Sequence, residues 1–399
     1  MPIPTPFHPR TSRLCTSMFY MDWAGYYSVR SYETTHEAEY FAIRNAAGLI
    51  DVTPLYKYEV FGKDACAFLS RMMIRNIAKL KVGQVAYLCW CDEDGKMIDD
   101  GTVTRVDEDH FRVTSTDANF HWFIRHTRGY DVTLDDSTGR LAALAVQGPR
   151  SRDVVDGATA GAAGKLKFFH ATKAKIDGVD VYLSRTGYTG DLGFEIWVEN
   201  DNAVRIYDAV LEAGKPHGAI PSGLIAMDVA RIEAGFILNG VDYFNALHSM
   251  IESRKSSPFE MSLGWAVHLK RAARSPFIGS EALRREKRAG PPRLLVGLDI
   301  DWDEFESLFA EHGLPPAVRS GGWRDGVPVY DLDGNFIGQA TSGAWSPLLK
   351  KNIALASVKA EHGETGNQVL FEVTVEYRRR TVRATVVEKP FFDPERKRA

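Results

Sequence analysis

Val179, Val181 and Leu183 alternate with other side chains up to Ser184-Arg185, and Phe194, Ile196 and Val198 resume the alternation after a loop with glycines at 187, 190 and 193. This period of two predicts strand, loop, strand, with the aliphatic set against a covering layer and Glu195 on the opposite face with Trp197. The covering layer follows directly: Ala203, Ile206, Tyr207, Val210 and Leu211 fall on one helical face, and Ser222 stands as the cap of a second helix with Ile225, Val229 and Ile232 inward. A sheet with helices against it, in mixed order, is an α+β arrangement. The glycines permit tight bends and close approach of the backbone to a ligand, and Tyr188 between them offers a flat stacking surface. A carboxylate at 195, if buried, needs a partner or donors on a ligand. An ordinary β-hairpin turn is the other reading of the same loop.

The remaining pattern extends this architecture. Thr34 with Glu37 three residues on, then Ala38, Phe41 and Ala42 and a closing Gly48, predicts a short capped helix. Residues 56–61 alternate as a strand, and Ala65, Phe68, Leu69 and Met72 follow at helical spacing. A hairpin is predicted from strand 86–91, the turn Asp92-Glu93-Asp94-Gly95 and the returning strand 96–106, which carries Asp99-Asp100. Further strands are expected at 111–116 and 143–146, the latter ending at Gly148-Pro149, and a boundary falls near 140–150. From about 273 the chain turns to short apolar runs separated by Gly- and Asp-rich turns, which predicts a separate β-rich domain. With 399 residues the chain holds two or three domains at roughly 100–200 residues each.

Composition narrows the function class. Lys plus Arg is 49 and Asp plus Glu is 52, a net charge of −3. That balance gives no global field for a polyanion, so nucleic acid is not an expected partner, although a local basic patch would still serve an anionic cofactor tail. Four cysteines (Cys15, Cys66, Cys89, Cys91), no charged-then-apolar leader and no apolar run near the roughly 20 residues that span a bilayer point to a reducing, cytoplasmic setting away from membranes. No dinucleotide, P-loop, zincin or nucleophile-elbow motif occurs. Cys89 and Cys91 share one strand face without a second cysteine pair nearby, so they are expected in a core and no metal site is assigned. Asp99 and Asp100 face opposite ways on their strand, so one can reach a cleft while the other is structural.

Three blocks resemble the aminomethyltransferase (glycine cleavage T-protein) family: Gly48-Leu49-Ile50-Asp51-Val52, Gly95-Lys96-Met97-Ile98-Asp99-Asp100 and, most specifically, the run from Ser184 to Glu195. Val146-Gln147-Gly148-Pro149, Arg231-Ile232-Glu233-Ala234-Gly235 and Leu263-Gly264-Trp265 continue the likeness in family order. The resemblance implies a three-domain cloverleaf with a C-terminal β-barrel: 1–50 plus 140–272 as a folate-binding α+β domain, 51–139 as a second α+β domain and 273–399 as the barrel. It implies tetrahydrofolate as cofactor, Glu195 reading the pterin, Tyr87, Tyr188, Ser115 and Trp265 as further folate contacts, and Asp100 as the catalytic carboxylate at the reacting nitrogen.

Departures from the family pattern concern the substrate. Asp51-Val52-Thr53-Pro54-Leu55-Tyr56 stands where T-proteins read D-V-S-H-M-G, and Ala226-Met227-Asp228 replaces A-R-D. With the folate half kept and the substrate half altered, the chain resembles the demethylase branch, which implies transfer of a methyl group from a small methylated S-, N- or O-compound to N5 of tetrahydrofolate. Tyr20, Trp23 and Tyr27 in the aromatic run 19–27, with Tyr56, are the candidate substrate residues, as a cation–π cage or an aryl stack. Glycine-cleavage aminomethyl transfer and a non-catalytic folate-binding assembly role are the competing expectations.

Overall fold

The computed structural model describes residues 1–399. The strand pair Val179–Ser184 and Gly193–Glu199 lies inside a six-stranded sheet, flanked by Ala171–Ile176 on one side and by Leu141–Gln147, Ala47–Asp51 and Ala219–Pro221 on the other. Neighbouring strands are antiparallel except for the parallel pair Ala219–Pro221 and Ala47–Asp51. Phe194, Ile196 and Val198 pack with Val154, Ile206 and Val210 of the helices Ser151–Thr159 and Ala203–Gly214. Trp197 faces the other way, toward Tyr40, Ile43, Val229 and Ile232 of the helices Glu37–Asn45 and Leu224–Glu233. The alternation thus placed both faces correctly.

A second, five-stranded antiparallel sheet runs in the order Val85–Cys91, Met97–Asp107, His110–Ser115, Tyr56–Phe61, Thr133–Asp136. The helix Ala65–Met72 covers it through Phe68, Leu69 and Met72. The C-terminal part is a closed six-stranded barrel from Arg293–Ile300 through Arg378–Val387. Mixed helix and sheet with a C-terminal barrel is the architecture expected from the sequence. A buried cluster holding Ile74, Cys89, Cys91, Met97, Tyr243, Leu295 and Leu355 ties the second sheet to the barrel, so the two cysteines are core packing. No helix is long and apolar enough to cross a membrane.

Local signals failed in three places. The helix expected from Thr34 begins at Glu37 behind His36 with no side-chain cap, and Gly48 lies within a strand instead of stopping the helix. A Cβ at Gly48 would stand 2.7 Å from Ile43 Cγ1 and from Ser222 Oγ, so this glycine permits helix and strand to touch. Ser222 does not cap its helix: Gly223 is the N-cap residue, and its amide donates to Glu39 Oε2 at 2.6 Å. The β-rich tail also contains the helices Ser280–Ala289 and Trp302–Ala310, the latter capped by Asp301, whose side chain accepts from the Glu304 amide.

Candidate functional site

Glu195 pairs with Ser184 and Ala145 on neighbouring strands, which fixes its side chain on the face away from the aliphatic layer. Its Oε2 accepts from the Thr186 hydroxyl at 2.6 Å and the Ser184 hydroxyl at 3.5 Å, and no protein donor reaches Oε1. Burial pushes this carboxyl above its ordinary range, against the two hydroxyls. One oxygen is therefore anchored and the other left to a ligand.

The loop glycines serve a residue the sequence reading passed over. A Cβ at Gly187 or Gly193 would lie 2.0 or 2.2 Å from Gln147 Oε1. Two of the three glycines thus make room for Gln147, not for a ligand. Gln147 donates to the carbonyls of Thr186 and Phe194 at 3.3 Å each and accepts from Thr189 at 3.0 Å, pinning both arms of the loop. Arg44 holds the same loop from behind, donating to the Thr189 carbonyl at 2.8 Å while pairing with Glu233. Both side chains of this ion pair are fully buried.

The aspartates do not separate as expected: the Tyr243 hydroxyl reaches both, Asp99 Oδ1 at 3.2 Å and Asp100 Oδ1, and their other partners tell them apart. Asp99 accepts from the amides of Asp100, Thr116 and Asp117, from the Thr116 hydroxyl, and from Asn119 and Asn239 at 2.7 and 3.0 Å. It is the structural member. Asp100 accepts from Tyr87 at 2.8 Å on Oδ2 and from Tyr243 on Oδ1, with no cation against it. Burial lifts Asp100 to about 6, opposed by the Tyr243 and Tyr87 hydrogen bonds and reinforced by the Asp242 charge. A carboxyl poised there can hold or release a proton near neutrality.

Tyr87 stacks on Trp265 at 6.5 Å between ring centroids, and Trp265 is 60% exposed. The Tyr188 hydroxyl donates to the Ile237 carbonyl, its ring lies 5.7 Å from Phe236, and burial and then the charge of Asp100 push its phenol up. Tyr87, Asp100, Tyr188 and Trp265 are therefore brought near one another. Arg231 stands beside Tyr188, paired with Asp228 at 2.8 Å and Asp242 at 2.7 Å, and its Nη2 is buried without a protein acceptor. Ser115 is buried and donates to the Asp117 carbonyl, so its hydroxyl builds the turn whose amides hold Asp99.

The aromatic N-terminal run does not assemble into one cage. Phe19–Trp23 and Tyr26–Ser31 form a hairpin in which Asp22 pairs with Tyr27 and Trp23 with Tyr26. Tyr20 and Tyr27 consequently share one face, 6.4 Å apart and against His8. Trp23 lies on the other face and packs with Met21 and Met227 against the Trp197 cluster. Tyr56 stands near Tyr26, where burial and the charges of Asp117 and Asp136 push its phenol up. The four candidates thus split into Trp23 and Tyr56 on the inner side and Tyr20 and Tyr27 on the outer.

Tyr243 and Asn239 join the site without having been singled out from sequence; the Asn, Asp and Tyr clustered around Gly240 were the available signal.

Two family domains match: the GCVT N-terminal domain over residues 10–271 and the glycine cleavage T-protein C-terminal barrel domain over 293–393. An aminomethyltransferase of Bacillus velezensis is 38% identical over 359 residues, covering 89% of each chain. A trimethylamine-oxide aldolase of Ruegeria pomeroyi is 36% identical over 406 residues, covering 99% of this chain and 47% of that protein. The crystal structure of the glycine cleavage system aminomethyltransferase T from Bartonella henselae superposes with a TM-score of 0.83 at 25% identity, over 98% of this chain and 99% of that one. With both domains matched in order and these relatives along nearly its whole length, the chain belongs to the glycine cleavage T-protein (aminomethyltransferase) family.

Proposed function

We propose that the chain is a tetrahydrofolate-dependent one-carbon transferase that moves a methyl group from a small methylated S-, N- or O-compound to N5 of tetrahydrofolate. In this reading 1–50 with 140–272, 51–139 and 273–399 are three lobes around the folate. The residues fit a reduced pteridine: Glu195 keeps Oε1 for ring N–H and amine donors, and Tyr188 and Tyr87 supply flat walls. Tetrahydrofolate supplies a nucleophilic secondary amine. Asp100, held between Tyr87 and Tyr243, takes the proton that this nitrogen loses as it gains the methyl group, while the donor atom leaves with the bonding pair.

The observation that carries the donor assignment is the wall around Met227. Where the resemblance places an arginine stands Met227, which, like Trp23, is partly buried against the cluster that contains Trp197, so apolar and aromatic side chains suited to a methylated compound border that cluster. The relative named trimethylamine-oxide aldolase puts N-methyl compounds at the head of the donor panel. The relatives named aminomethyltransferase favour a second reading, aminomethyl transfer. Supplying tetrahydrofolate with either an aminomethylated lipoyl carrier or a panel of N-methyl, sulfonium and methoxyaryl donors separates the two. Product 5-methyltetrahydrofolate without ammonia release supports the proposal; ammonia release from the carrier alone overturns it.

A further inference from the structure

The N-terminal hairpin, the strand Ala47–Asp51 and the approach to the helix Leu224–Glu233 meet around a small cavity that the folate reading does not use. Counted for the centre of a water-sized sphere, its volume is about 10 Å³, room for a single small body. The lining offers the Asp51 carboxylate and the hydroxyls of Thr11, Ser28, Tyr32 and Ser222, and no cationic side chain. Those four hydroxyl residues are all buried, and Ser28 Oγ has no protein partner at all. An interior hydroxyl left unpaired is costly, so its presence in the wall of a cavity points to an occupant.

Asp51 supplies the charge. Burial pushes its carboxyl up, against the bonds it accepts from the Thr5 hydroxyl at 2.6 Å on Oδ2 and from the Thr53 amide at 3.0 Å on Oδ1, which favour the ionised form. Lys57 attracts this carboxylate without bonding to it, because its ammonium donates to the Thr53 carbonyl at 2.6 Å. A water in the cavity would leave the charge uncompensated, and a proton on Asp51 would leave the Ser28 oxygen unpaired. A divalent metal calls for more carboxylates, and no group of three His, Cys, Asp or Glu side chains is placed to hold one. We infer that the cavity binds one monovalent cation of about the size of a water molecule, potassium or ammonium, through the Asp51 carboxylate and the hydroxyls of Thr11, Ser28 and Tyr32. The ion clamps three elements: Ser28 lies on the hairpin strand Tyr26–Ser31, Asp51 ends the strand Ala47–Asp51, and Ser222 stands two residues before the helix that carries Met227.

The test is thermal unfolding of the intact chain in potassium, ammonium, lithium and tetramethylammonium chloride at one ionic strength, which removes general screening from the comparison. The expected result is a midpoint about 2–4 °C higher in potassium or ammonium than in tetramethylammonium, rising with concentration as a bound ligand requires. Ser28→Ala should raise the half-saturating concentration about 3- to 10-fold, and Asp51→Asn should remove the response. The response to the ion is read, not the midpoint itself, so a general loss of stability in either variant does not imitate this outcome. Crystals grown in rubidium chloride should show an anomalous peak between Asp51 and Ser28. Equal midpoints in all four salts, a response that persists in Asp51→Asn, an unchanged half-saturating concentration in Ser28→Ala, or a water without anomalous signal in the cavity overturns the inference. Tetrahydrofolate binding and methyl transfer enter none of these readouts, so failure of this site and failure of the folate reading are told apart.

Discussion

Replacing Asp100 by Asn separates the cost of its buried charge from the work that charge does. Asp100 is 5% exposed and its carboxyl is lifted from 3.8 to about 6, chiefly by burial. The folded protein therefore holds this proton more tightly than the unfolded chain, and the wild type loses stability as pH rises from about 4 through about 6. The lift corresponds to about 3 kcal/mol, fully lost above about pH 7. Asn cannot ionise, so the stability of Asp100→Asn relative to wild type improves by up to about 3 kcal/mol between about pH 4 and about pH 8. Hydrogen bonding does not spoil the comparison, because Asn can accept from one of Tyr87 and Tyr243 and donate to the other's oxygen. Urea unfolding of both proteins at the two pH values gives the difference, and methyl transfer at about pH 8 should fall by at least about 100-fold in the variant. A stability difference that is the same at both pH values, or full turnover by the Asn variant, refutes the reasoning.

Other consequences are equally direct. Glu195→Gln loses a charge-assisted acceptor worth about 1.5–3 kcal/mol, so tetrahydrofolate binding followed by fluorescence titration should weaken about 10- to 150-fold; unchanged affinity removes Glu195 from the site. Arg44→Ala strands Glu233 in the interior, where it then accepts only from Tyr40 and Ser346, and should cost about 3–5 kcal/mol in a denaturant titration, against less than 1 for a surface pair. Gly193→Ala drives a methyl group into Gln147 and should cost about 1–3 kcal/mol, and Gln147→Ala in the same chain should recover part of it; no recovery would show that the backbone, not the glutamine, requires the glycine. Trp23→Ala should raise the donor KM about 3- to 30-fold, more than Tyr27→Ala on the opposite hairpin face, and the reverse order contradicts the inner donor wall.

What the sequence made legible was whatever depends on short period. Alternation through 194–198 assigned Phe194, Ile196 and Val198 to the helix layer and Glu195 and Trp197 to the other face, whereas adjacency did not keep Asp99 and Asp100 apart, because Tyr243 bonds both. Contacts between distant positions left no such trace. Arg44 meets Glu233 across 189 residues and Tyr243 meets Asp100 across 143, and neither pair has a spacing to read. Glycine was ambiguous for the same reason: Gly187 and Gly193 looked like room for a ligand because Gln147, forty or more residues earlier, could not be seen filling it. The helix Trp302–Ala310 was a different failure, since Asp301, Glu304 and the spacing of Phe305, Leu308 and Phe309 were all present within a tail expected to be β-rich.

The central claim is that this fold carries a methyl group to folate under the control of Asp100. Its most direct test is anaerobic incubation of the wild type and of Asp100→Asn with tetrahydrofolate and a carbon-13 methyl-labelled N-methyl donor, followed by NMR of the folate. Label appearing as an N5-methyl resonance with the wild type and absent with the variant is the predicted result. Label that remains on every donor of the panel while folate binds, or that reaches folate equally well in the variant, contradicts the account.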